Sequence, residues 1–321
     1  MAGLTGYITP AMLIAAPTGI SWSTIPVTSA SATQQLTSQQ DICMRATASA
    51  EAFLNQQVRC TIDVQTENAP YRNRVWLDAA TGVVRFMANH FPVLDVVSAE
   101  TCPAGTFPRV YTQITSDNWE VDDPPSINTG SAVTGGDGQG GNIILFAPGS
   151  LNYMHGKKGF RIVVKYLNGW PHAGISAAIL VDESFAPVDD VTGWSVATAA
   201  EPITCPIYDG ANTEVVQVTG VASVVNGSTG LAAYGPGVLT LAAGTSNAHA
   251  GPVSGVASCL ISTMPATIMS ATIKMAVAEA LVRGATATSV QRNQGQTTKS
   301  GSPGDLYLEG CELLLPYRRV I

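Results

Sequence analysis

The sequence predicts an α+β chain: a small helical bundle made by its two ends, carrying a β-sheet wing and an inserted small β-barrel or sandwich. Three observations predict this. In the last sixty residues, 262–321, apolar side chains recur at spacings of three and four, the period of one helix face. From Arg59 onward the apolar period drops to two, the alternation of a strand. At residue 173 the composition shifts to Ala, Val, Gly and Thr, nearly free of Lys and Arg, in short runs between turn signals. The chain divides accordingly into an N-terminal helical part (1–58), a β-sheet wing (59–172), an inserted β-module (173–261) and C-terminal helices with a tail (262–321).

Taken in order, residues 7–16 read as a short helix with Thr9 as N-cap and Pro10 just inside it, where the missing N–H of proline is harmless. A second helix is expected from a cap at Thr37 or Ser38 to about residue 57, with Ile42, Ala46, Ser49, Ala50, Phe53 and Leu54 as its buried stripe. Strands are expected at 59–65, 73–78, 83–88, 93–99, 109–115, 142–147 and 161–167, with Thr81-Gly82 as a hairpin turn. Met264-Pro265 opens a third helix whose stripe is Ile268, Ala271, Met275, Ala278 and Val282, and Gly284 ends it. A polar arm over 285–303 leads to a last helix, 305–315, anchored by Leu306, Leu308, Leu313 and Leu315 and stopped by Pro316. Neither terminal helix can bury its stripe alone, so both are expected to pack on the helix upstream.

Composition narrows the function classes. The chain of 321 residues is 45% hydrophobic and only 12% charged, about half the usual charged fraction. Such a surface is either rich in neutral polar groups or covered by other subunits. The net charge of −7 argues against holding nucleic acid by a general basic field. No stretch approaches the roughly 20 apolar residues of a membrane span, and Pro10 and Pro17 break the apolar run near the start, which argues against a signal peptide. The six cysteines lie far apart with no C-x-x-C pair. They read as reduced core residues of a cytoplasmic product rather than a zinc or redox motif.

Residue chemistry alone reads as a packing and assembly protein. His90, His155, His172 and His249 are distant in sequence and lack metal-ligand spacing, so they read as turn or strand-end residues and no metal or cofactor is expected. Asp122-Asp123 and Asp189-Asp190 read as solvated turns, Asp209-Gly210 with Glu214 as a hairpin turn entering a strand, and Gly135 to Gly141 as a loop tip. Gly251 to Gly255 has the wrong order for a nucleophile elbow, and no catalytic residue is assigned. Arg283, Arg292 and Lys299 put three cations in an arm without acids, which fits a segment that orders against a neighbour. Tyr317, Arg318, Arg319, Val320 and Ile321 close the chain, and this pairing of aromatic and arginine reads as an interface anchor or as a solvated tail.

Three stretches carry a resemblance. They are the helix over 46–58 leading into a strand, "NHFPVLDVVSAE" at 89–100, and "MPATIMSATIKMAVAEALVRG" followed by "YLEGCELLLPYRRVI"; "YLNGWPHAGI" at 166–175 adds to them. Together they resemble the head–tail adaptor proteins (head-to-tail connector, or head-completion, proteins) of long-tailed bacteriophages, which typically close on a helix opening at Pro, a loop, and a helix ending in Leu-x-Pro-Tyr-Arg-Arg. The module at 173–259 departs from the smaller members of that family and looks like an insertion of larger relatives. The resemblance implies a non-enzymatic ring, commonly a dodecamer, made in the host bacterial cytoplasm and placed at the virion neck. Its partners would be copies of itself, the portal protein and the next neck or tail component (stopper or tail terminator). Double-stranded DNA would pass through the channel without sequence-specific binding, and no membrane would be involved.

Two rivals come from other classes. A β-rich carbohydrate-binding or tail decoration protein would explain the low charge and β-rich middle, but not the terminal helices. A cell-wall hydrolase would need a Cys-His, Ser-His or paired-carboxylate constellation, which the sequence does not display.

Overall fold

Thr9 opens the first helix, α1 (Pro10–Ala15), its side chain accepting from the Met12 N–H with Pro10 in the first turn. The computed structural model describes residues 5–25, 30–69, 74–78, 80–103, 105, 107–122, 143–149, 159–284 and 302–319, and within them the chain is α+β.

The second helix, α2 (Ala32–Leu54), starts earlier than the Thr37 or Ser38 cap expected from the sequence. Ser31 and Gln34 form a reciprocal capping box: the Ser31 hydroxyl accepts from the Gln34 N–H at 3.3 Å and the Gln34 side chain accepts from the Ser31 N–H at 2.9 Å. Two orphan donors satisfied at once make this the stronger start signal. Asn55, in the left-handed region, ends the helix.

The third helix, α3 (Ala266–Val282), packs against both α2 and the last helix, α4 (Pro303–Leu314). Covered on two sides, it buries Met269, Thr272, Ala276, Val277 and Ala280 as well as the expected Ile268, Ala271, Met275 and Ala278. Val282, the last residue of the expected stripe, is 71% exposed. In α4 the phase also differs: Gly310, Cys311 and Leu314 face the core, Leu306 and Leu313 pack against it, and Leu308 and Leu315 are exposed. Gly310 sets that phase, because a Cβ there would meet the Ala271 carbonyl at 3.1 Å and the Met275 side chain at 3.0 Å. One apolar cluster joins Leu13 of α1, Ile42, Ala46 and Leu54 of α2, Ile268 and Met275 of α3, Leu314 of α4, and Tyr317.

The strands of 59–172 form two four-stranded antiparallel sheets rather than one. The first contains β1 (Thr61–Ala69), β4 (Val93–Pro103), β5 (Thr112–Ile114) and β8 (Phe160–Asn168), in the order β1-β8-β4-β5. The second contains β2 (Val75–Leu77), β3 (Val84–Met87), β6 (Trp119–Asp122) and β7 (Ile143–Phe146), in the order β2-β3-β7-β6. Val84, Phe86, Ile144 and Phe146 of one sheet share a core with Val96, Ile162, Val164 and Tyr166 of the other. Asp123 and the Gly135–Gly141 run lie outside the described residues, as does His155.

The third sheet has six antiparallel strands: β9 (His172–Gly174), β10 (Phe185–Val188), β11 (Ile203–Tyr208), β12 (Glu214–Val224), β13 (Gly237–Leu241) and β14 (Leu260–Ser262), ordered β10-β13-β12-β11-β14-β9. Its two edges meet. Ile175 bridges Val188, the Ser176 N–H donates to the Pro187 carbonyl at 2.9 Å, and the Asp189 N–H donates to the Gly174 carbonyl at 3.0 Å. The sheet thus closes on itself around Val188, Trp194, Cys205, Val218 and Leu239, so that its two outermost strands cover each other.

Candidate functional site

The C-terminal segment is folded back on its own chain. Tyr317 is buried, its ring edge-to-face with Trp170 at 5.9 Å, and its carbonyl accepts from the Gln56 side chain at 3.2 Å. The Arg318 guanidinium sits 4.9 Å over the Phe53 ring. The Arg319 N–H donates to the Leu54 carbonyl at 3.0 Å, and its guanidinium reaches Asn89 at 3.5 Å. Burial, with the nearby charge of Arg74, pulls the Arg319 pKa down. Among the described residues no carboxylate pairs with Arg318 or Arg319. Val320, Ile321, Arg292 and Lys299 lie outside the described residues.

Arg283 belongs to a lattice between α2 and α3. It contacts Asp41 at 2.7 Å and Glu279 at 3.0 Å, while Arg45 contacts the same two acids at 3.3 and 3.8 Å. The Arg283 hydrogen bond is the largest influence holding the Asp41 carboxyl below its ordinary range. This cation is therefore paired within the chain, not free in the arm.

The acid pair Asp189-Asp190 departs from the solvated turn expected of it. Asp189 accepts from the Thr5 N–H, the Thr5 hydroxyl and the Gly174 N–H at 3.0, 2.5 and 2.7 Å. Asp190 is buried and accepts from the Thr192 N–H and hydroxyl and from the Gly235 N–H. Each carboxylate organises loops by gathering backbone donors. Beside them a cleft of about 510 Å³ is lined by Arg59, Asp63, Lys165, Asp190, Ser228 and Tyr234. His90, in the turn before β4, lies 2.7 Å from Asp63 of β1.

Two other histidines are buried. His172 donates from Nε2 to the Gly6 carbonyl at 2.9 Å, and its Nδ1 accepts from the Ser262 hydroxyl at 2.8 Å. Ser262 in turn accepts from the Met264 N–H at 3.0 Å. This chain of bonds ties the N-terminal segment to β9 and to the start of α3. Burial holds the His172 pKa below its ordinary value.

His249 lies between two carboxylates, with Nδ1 3.0 Å from Asp209 and Nε2 2.7 Å from Glu214. Cys259 is on the Asp209 side, and one ligand atom each from Asp209, His249 and Cys259 falls within 4.8 Å of the others. The fold explains the meeting. Asp209 follows β11 and Glu214 opens β12, so a five-residue hairpin step sets one acid on each side of the ring. Tyr208 pairs with Leu260 across β11 and β14, which places Asp209 opposite Cys259 one step further along. His249 is held by paired backbone bonds with Ile179 at 3.0 and 2.9 Å. Burial pushes the Cys259 thiol up to about 12, with the charge of Asp209 adding to it. Burial also pushes Glu214 up, but N–H donors from Ser246 and Asn247 and the His249 ring outweigh it, and the net direction is down.

All six cysteines are free and buried. Sequence reasoning passed over the Asp209–His249–Cys259 grouping because its members are 40 and 10 residues apart, and only the pairing of β14 with β11 joins them. No family model, no curated protein and no solved structure matches this chain.

Proposed function

We propose that this chain is a structural subunit of a phage head-to-tail adaptor ring. Residues 1–58 and 262–321 make a helical hub, 59–172 a β-sheet wing and 173–261 an inserted module. The observation that carries the reading is the surface of the hub. Val282, Leu308 and Leu315 are 71%, 60% and 55% exposed on α3, α4 and the turn that follows, and Val282 lines a groove between α2, α3 and α4 with Met275, Ala278 and Tyr307. A ring is a closing heterologous assembly, so each subunit needs two complementary faces. The occupant of this face is a second copy of the chain.

Arg318, stacked over Phe53, and exposed Leu315 form a cationic and apolar corner that would face the portal. The chain would sit at the virion neck between the portal and the next neck or tail protein, with DNA passing through the ring and no chemistry performed on it. Because Tyr317 is a core residue, removing the whole end would disturb the fold; removing Val320 and Ile321 alone tests docking.

Leu308→Asp and Leu315→Asp place charges on the proposed copy-to-copy face without touching the core. Both variants should melt within a few degrees of the parent, yet fail to join heads or to form rings in a sizing and electron-microscopy assay. Normal rings from both variants, or particles with no density for this chain between capsid and tail, would refute the proposal.

A second reading has one observation in its favour: the cleft lined by Asp63, Lys165, Asp190 and Tyr234 has the mixed polar and aromatic lining of a sugar site. Glycan-array binding by the full chain, lost in Tyr234→Ala, would move the assignment to a carbohydrate-binding or decoration protein.

A further inference from the structure

We propose that Asp209, His249 and Cys259 form a binding site for a divalent transition-metal ion, with zinc the best match to the donor set. A carboxylate oxygen, an imidazole nitrogen and a thiol sulfur converge within 4.8 Å. Tetrahedral zinc, with bonds of about 2.0 Å to nitrogen and about 2.3 Å to sulfur, holds its ligand atoms roughly 3.5 Å apart. Asp209 and His249 Nδ1 already stand 3.0 Å apart, so only the Cys259 sulfur needs to close, by about an ångström, within the reach of rotamer adjustment. Thiolate and imidazole together select zinc-like ions over magnesium or calcium, which prefer all-oxygen shells.

The site is built from framework, not from a loose surface cluster. Asp209 and Cys259 extend two hydrogen-bonded strands, β11 and β14. His249 is fixed by its backbone pair with Ile179. His249 and Cys259 are buried, and Asp209 reaches the surface. The second ring nitrogen completes the arrangement. Glu214 holds Nε2 at 2.7 Å and is itself held by the Ser246 and Asn247 N–H groups at 2.8 and 3.0 Å. A ring that donates from Nε2 to a carboxylate keeps its Nδ1 lone pair for a metal, the outer-shell pattern of metal-bound histidines. Nδ1 is the nitrogen that faces Asp209.

The protons balance simply. The ion takes the place of the proton shared between Nδ1 and Asp209 and of the Cys259 thiol proton. Both leave to solvent, and water fills the fourth position from the exposed Asp209 side. The bound ion would clasp the β11–β12 hairpin to the strand entering α3, giving the module a structural metal.

The test is cobalt titration of the full-length chain after chelator treatment and reduction. Binding of one Co²⁺ per chain should produce a thiolate charge-transfer band and the intense visible bands of four-coordination, both erased by one equivalent of zinc. Glu214→Gln should weaken the affinity about 10- to 100-fold. Cys259→Ser should lose the charge-transfer band, whereas Cys102→Ser, in the other β-region, should keep it. A wild-type chain with no cobalt spectrum, or an undiminished band in Cys259→Ser, overturns the proposal. If Cys259→Ser does not fold, thiol labelling of the wild type in mild denaturant decides the matter by mass spectrometry. Zinc must protect Cys259 selectively, and equal labelling with zinc and with chelator overturns the proposal.

Discussion

His172, in β9, and His249, bridged to Ile179 outside the named strands, are both buried, and their partners differ in kind. His172 faces a carbonyl and a hydroxyl, both neutral, so the ring serves as a neutral connector between chain segments. His249 faces two carboxylates, with a thiol beside one of them. A neutral ring among neutral partners welds a junction. A ring between acids gathers oxygen and nitrogen donors at one partly buried point, a set that suits a cation.

Substituting His249 breaks the comparison most severely. His249→Ala leaves Asp209 and Glu214 without the ring nitrogens that face them at 3.0 and 2.7 Å, and stripping the partner from a largely buried polar group costs about 1–3 kcal/mol. Chemical denaturation should show a loss of that order, with far-ultraviolet dichroism confirming the starting fold. A loss under 1 kcal/mol would mean that the two acids relax to solvent and that His249 is not the centre of the cluster.

A gentler perturbation sharpens the other half. Burial, opposed only in part by the Gly6 hydrogen bond and the charge of Asp189, keeps His172 neutral in the fold, whereas the unfolded chain takes up a proton near its ordinary 6.5. The contribution is complete above that pH. It is lost as pH falls from 6.5 toward the depressed folded value, and is flat below it. Melting followed across this window should decline toward acid, and His172→Gln, which keeps a donor without a titrating ring, should flatten the decline. An unchanged slope would assign it to other groups.

The surface lattice around Arg283 gives the smallest effect. Its side chains are roughly 30–60% exposed, and pairs in that setting contribute 0–1 kcal/mol. Arg283→Ala should cost less than about 1 kcal/mol and should matter less still in high salt. A larger, salt-insensitive loss would show that α2 and α3 depend on this lattice and not on their apolar contact.

Legibility in the sequence tracked the range of the interaction. The Thr9 cap of α1 and the Thr81-Gly82 turn are local and were readable. Ser31-x-x-Gln34 is equally local, a capping-box spacing that outweighs Thr37 and Ser38 and starts α2 earlier. The phase of α4 is not local: Leu308 and Leu315 have the spacing of anchors, and only the approach of α3 to Gly310 turns them outward. Tyr317 reads as an interface anchor or a solvated tail for the same reason: Trp170, against which it packs, is 147 residues away.

The sequence by itself determined that helices bound a β-rich middle, because side-chain periodicity of 3.6 or 2 is a property of neighbouring residues. Tertiary structure alone decided which side chains meet. Asp209 reaches Cys259 only because two strands lock in one register, and a one-residue slip would turn that face away. The candidate metal site is therefore a product of strand pairing across the chain, which no local spacing records.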